Sequence, residues 1–91
     1  MFDTWFKRNP YEQMEKELTH IIEHAPDTYY LAMFMKPHRT HPSLEYLYRL
    51  LESPDNCAIY IPSAIQQVII ECKENQQVFE FVKLFNRTFY Y

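Results

Sequence analysis

The 91-residue sequence contains no glycine. Average usage would place about six in a chain of this length. Glycine adopts positive φ without steric cost and lets a backbone approach a ligand closely. Its absence excludes the phosphate loops G-x-G-x-x-G and G-x-x-x-x-G-K-[ST], and the G-x-S-x-G turn that carries a nucleophilic serine.

Cysteine is scarce too, with Cys57 and Cys72 alone. With no secretory signal in view, both are read as reduced thiols on strand and helix faces. Their apolar neighbours do not activate a thiolate, so inert filling is the expectation. The opening stretch, residues 1–8, carries Asp3 and lacks the apolar run of a signal peptide. No window approaches the 18 or so consecutive apolar residues of a membrane span. The expected location is the cytoplasm of the producing or host cell, with no membrane partner. Positive charge is limited: 9 Lys and Arg stand against 12 Asp and Glu, a formal net charge of -3. Neutralising a phosphate backbone needs clustered cations, so direct nucleic-acid binding is not expected. The acids are spread singly, which also argues against a mimic of duplex DNA.

Aromatic residues are plentiful, with eight Tyr, seven Phe and one Trp. Six prolines punctuate the chain. Asn9, Pro10 and Glu12 supply an N-cap, a first-turn proline and a capping-box acid. Tyr11, Met14, Leu18, Ile21, Ile22 and Ala25 follow at helical spacing, so a helix is predicted up to Pro26 and Asp27. The run from Thr28 to Met35 is continuously apolar, aromatic-rich and bounded by Pro26 and Pro37, which reads as a buried strand. A loop over Lys36–Pro42 leads to a helix from about Ser43 to Ser53, with Leu44, Leu47, Tyr48 and Leu51 on one face. Glu45 and Arg49 form an i,i+4 pair on it. Cys57 to Ile61 reads as a short second strand closed by Pro62.

Ser63 and Gln66 form a second capping box, opening a helix striped by Ala64, Ile65, Val68, Ile69 and Cys72. The apolar face then rotates, which predicts a break near Asn75. Val78, Phe81, Val82, Phe85 and Phe89 suit a further helix, with a strand over Val78–Phe85 as the rival. The order helix–strand–helix–strand–helix implies a single α+β or small α/β domain over residues 1–91. Its two- to three-stranded sheet would be packed by helices, with the two strands adjacent and parallel.

Four histidines draw attention. His20 and His24 lie at i,i+4 in an H-x-x-E-H run, a spelling found in inverted zinc peptidases. Such a pair can share a metal. Helical projection sets both opposite the apolar stripe, beside Lys16 and Glu17, so they are weak metal candidates and no cofactor is expected. His38 and His41 join Lys36 and Arg39 in the one local basic patch, with Tyr29 or Tyr30 as a neighbouring stacking face. Both termini are aromatic, through Phe2, Trp5 and Phe6, then Phe89, Tyr90 and Tyr91. Apolar ends are tucked into a core or covered by a partner.

With no catalytic motif, the expectation is a non-enzymatic protein-binding module. Composition alone likens the chain to small inhibitors: phage proteins that block host defence nucleases, bacterial immunity proteins and antitoxins. The mechanism would be steric occlusion of a partner protein, such as part of a nucleic-acid-processing complex. Trp5, Lys36, His38, Arg39, His41, Tyr90 and Tyr91 are the candidate contacts. Glu12, Glu15, Glu17 and Glu23 would steer association with a basic groove. The alternatives are a nucleic-acid-associated regulator using Lys36–His41 and a histidine-based metal-binding protein. A homodimer fits all three.

Overall fold

A computed structural model describes residues 9–53 and 58–90. Five α-helices occupy the described residues: α1 (Pro10–His24), α2 (Thr28–Met35), α3 (Pro42–Glu52), α4 (Ile61–Glu74) and α5 (Gln76–Phe89). Single 3-10 turns cover Lys36–His38 and Ala58–Tyr60. The expected α+β sheet is therefore wrong, since no strand occurs among the described residues. The segment read as the first strand is α2. The second is a 3-10 turn over Ala58–Tyr60 running into α4, while Cys57 lies outside the described residues. Of the two readings of the last segment, the helix is the one adopted.

Glycine-free helix ends explain much of the architecture. No described residue has positive φ, so the left-handed C-cap that ends many helices is not used. Extended residues stop the chain instead. Ala25 ends α1 at φ -71, ψ 127, and Asn75 ends α4 at φ -141, ψ 114. Asn75 serves two helices at once. Its N–H donates to Glu71 O at 2.8 Å, and its Oδ1 accepts from Gln77 N at 2.9 Å. The expected break thus falls at Asn75.

Asn9 caps α1 by accepting from Tyr11 N at 3.0 Å, as its sequence position implies. Two other starts differ from expectation. The helix assigned to a Ser63 capping box begins two residues earlier, at Ile61, with no side-chain cap. At α3 the N-cap is His41, also without a side-chain cap. Glu71 of α4 fills that role across the bundle. Its Oε1 accepts from Ser43 N at 3.1 Å and from the Ser43 hydroxyl. A carboxylate at a helix N-terminus satisfies orphan N–H groups and complements the dipole.

α4 is central, packing on α1, α3 and α5; α1 also packs on α5, and α2 on α3. Leu18, Leu47, Leu51, Ile65, Val68, Val78 and Phe85 are fully enclosed. Burial of each such side chain contributes about 1.5–3 kcal/mol. Besides Ser43, the buried polar residue among those described is Asn86, which donates from Nδ2 to Met14 O at 3.2 Å and fixes α5 against α1.

Candidate functional site

α2 carries no charged side chain along its eight residues, TYYLAMFM. Asp27 starts it, with Oδ1 accepting from Tyr29 N at 2.9 Å. The Thr28 hydroxyl donates to Leu51 O at 3.0 Å, satisfying a carbonyl near the end of α3. Leu31, Ala32 and Met35 face the core. Phe34 turns toward a ladder of phenylalanines along α5, with ring centroids 5.9, 5.8 and 5.2 Å from Phe81, Phe85 and Phe89. The opposite face is largely uncovered by the described residues. Tyr29 is 52% exposed, Tyr30 71% and Met33 36%. A helix apolar on every side is normally enclosed on every side, and the described residues enclose α2 on only one.

The basic turn follows directly, and the structure divides its residues. Arg39 Nε donates to Lys36 O at 3.1 Å, and the guanidinium carbon lies 4.7 Å above the Tyr48 ring. This cation–π contact orients a side chain that would otherwise be free to move. Tyr48 is itself anchored, its hydroxyl donating to Glu52 Oε2 at 2.7 Å. That bond, with burial, raises the phenol above its ordinary pKa. Lys36, Arg39 and Thr40 share a shallow recess with Glu45 and Arg49, the last two paired at 2.8 Å.

His38 leaves this group. Its ring centre is 4.6 Å from that of Phe81, and it covers one end of the phenylalanine ladder. His41 is the N-cap residue of α3, with Nδ1 3.1 Å from the Thr40 hydroxyl. Of the four candidates in the turn, Lys36 and Arg39 are the two that line the shared recess, Arg39 held there over Tyr48.

Tyr90 lies with His20 rather than with the basic turn, at 5.3 Å between ring centres and 44% exposed. Trp5 and Tyr91 fall outside the described residues. His20 and His24 stack at 4.1 Å, with 25° between their planes. His24 Nδ1 donates to His20 O at 3.0 Å. The pair is exposed, yet borders an apolar recess of ≈ 370 Å³ shared with Tyr30, Leu31 and Phe89. Two stacked imidazoles direct their nitrogens side by side rather than at one point. Among the described residues no group of three or more His, Cys, Asp or Glu side chains is placed to hold a metal ion.

Cys72 is buried beside Glu71, and burial first, then that carboxylate, pushes its thiol up to about 12. Such a thiol stays protonated at neutral pH and is a poor nucleophile. No described helix is long and apolar enough to cross a membrane.

Sequence reasoning missed Met33, the Tyr48 platform beneath Arg39 and the Glu71 cap. The signal for the first was present in Asp27, an N-cap residue before Thr28 and an unbroken run of seven apolar or aromatic residues. The other two depend on contacts between distant segments. Comparisons with protein-family models, curated proteins and solved structures yield no match to this chain.

Proposed function

We propose that this chain is a non-enzymatic protein-binding module whose contact surface is the outer face of α2, continued by Lys36 and Arg39. One observation carries the reading: an eight-residue apolar helix leaves Tyr29, Tyr30 and Met33 in solvent. Tyrosine, methionine and arginine are the residue types enriched in protein interfaces. Arg39 is held in place before any partner arrives, which lowers the ordering cost of binding. The partner is a protein surface with an apolar strip beside carboxylates, the complement of Met33 and Tyr30 beside two cations. Glu45 and Glu52 border the turn, so the charge alternates there, unlike the continuous positive track that a phosphate chain requires. A rigid helical wedge of this kind inhibits by occupying the partner's own working surface.

The test is comparative capture from lysate with three chains. The wild type retains a stoichiometric protein, while Tyr30→Ser/Met33→Ser loses it and Lys36→Glu/Arg39→Glu weakens it at least tenfold, about 1.4 kcal/mol. Leu84→Ser, at an exposed apolar position on α5, leaves capture intact. Capture indifferent to both face variants, or recovery of nucleic acid that vanishes with salt, overturns the reading. Inhibition is read by titrating the chain into the captured partner's own assay.

A further inference from the structure

A second surface is independent of the α2 face. A groove of ≈ 520 Å³ opens between α1, Leu50 of α3, the turn at Ala58 and the start of α4. Its floor is apolar, formed by Ile22, Leu50 and Ile65, which are buried, with half-buried Ile61 beside them. The apolar character continues past its edge at Ile59, 78% exposed, and Tyr60, 54% exposed. The rim is acidic. Glu15 and Glu23 stand on it, and no Lys or Arg among the described residues lines the groove. Neither carboxylate has a hydrogen-bonding or ion-pair partner among the described side chains, where the ion pair is Arg49–Glu45. Glu12 extends the acidic rim along α1, against Lys16 alone among the cations of the adjoining recess.

We infer that this groove binds a basic amphipathic helical segment of another protein. Its apolar stripe would seat on Ile22, Leu50 and Ile65, and its Lys or Arg side chains would meet Glu15 and Glu23. The two carboxylates are eight residues apart on α1, a separation of about 12 Å along the axis. Cations two turns apart on a docked helix match that spacing. Helix-in-groove recognition uses this division, with apolar anchors for affinity and flanking charge for orientation and rate. Small-molecule sites of similar volume direct several polar groups inward at the ligand. Here the charged groups, Glu15 and Glu23, share one sign and the other polar groups, Thr19, Thr28 and Gln66, are neutral, which favours an elongated cationic occupant.

The test uses a synthetic amphipathic helix of about four turns. Its leucines lie on one face with lysines flanking them, and a counterpart carries glutamates in place of lysines. Fluorescence anisotropy is expected to show saturable, micromolar binding of the lysine peptide alone. Glu15→Lys/Glu23→Lys should weaken it at least tenfold, since reversing rim charges turns attraction into repulsion. Gln66→Trp, at an exposed position lining the groove, should block it. Tyr30→Ser/Met33→Ser should leave it unchanged, which separates this site from the α2 face. Circular dichroism of each variant confirms that the bundle remains folded. The inference is overturned by equal binding of both peptides, by binding of neither, or by indifference to charge reversal. It is also overturned if Gln66→Trp abolishes a concentration-dependent dimer, because the groove then belongs to a second copy.

Discussion

α5 and α2 are both rich in large apolar side chains, yet they use them in opposite ways. α5 turns Val78, Phe81, Val82 and Phe85 into the bundle and presents Gln77, Glu80, Lys83 and Arg87 outward. Its sequence and its packing account for each other. α2 has no polar face to present, so whatever it does not bury against α3 and α5 meets water as tyrosine and methionine. Folding explains one face of α2. The other face has no covering element among the described residues.

The largest expected effect lies on the α5 side. Phe85 is 1% exposed and meets Phe34, Phe81 and Phe89 in one cluster. Phe85→Ala removes a fully enclosed ring and leaves a cavity, a change that costs about 3–5 kcal/mol. Urea denaturation should show a lower midpoint with a nearly unchanged slope. A loss under about 1 kcal/mol would mean the ladder is loosely packed, and the contrast with α2 would weaken.

The caps come next. Asp27→Ala removes the side chain that accepts from Tyr29 N, at about 1 kcal/mol. Isolated helices this short are marginal in water, so α2 depends on its cap and on its inner face. The loss should therefore appear locally, as faster amide exchange across α2 with little change in α5. Asn75→Ala should do the reverse, loosening the start of α5, because it removes the Oδ1 that accepts from Gln77 N and keeps the backbone N–H that donates to Glu71 O.

The same contrast decides what the sequence could reveal. α1, α3 and α5 alternate apolar and polar positions with a helical period, and their buried faces match the expected stripes at Met14, Leu18, Ile21, Leu44, Leu47, Leu51, Phe81 and Phe85. In Thr28–Met35 every position is apolar or aromatic apart from Thr28, so periodicity has nothing to count. Length and bounding prolines then suggested a strand. The physical arbiters were local hydrogen bonds: Asp27 at the N-cap, and a backbone with no neighbouring strand to pair with. Of the candidate contacts, Lys36 and Arg39 could be placed from charge clustering. The departure of His38 to Phe81 and of Tyr90 to His20 could not, because the first follows from how the turn after α2 meets α5 and the second from how α5 packs on α1.

The smallest effect on stability is the most decisive for function. Tyr30→Ser/Met33→Ser changes two neighbouring exposed side chains on a helix whose inner face is untouched. Exposed substitutions away from caps and packed contacts usually stay within about 0.5 kcal/mol. Phe34, adjacent in sequence but turned onto the phenylalanine ladder, provides the internal control, since Phe34→Ala should be clearly destabilising in the same denaturation assay. If the double variant unfolds at nearly the wild-type midpoint while Phe34→Ala does not, Tyr30 and Met33 add nothing to the chain's own fold. Their size and apolarity are then not accounted for by folding, which is the result that a docking face requires. If the double variant loses more than about 1 kcal/mol, the outer face of α2 is part of the protein's own packing, and the case for a docking surface there falls with it.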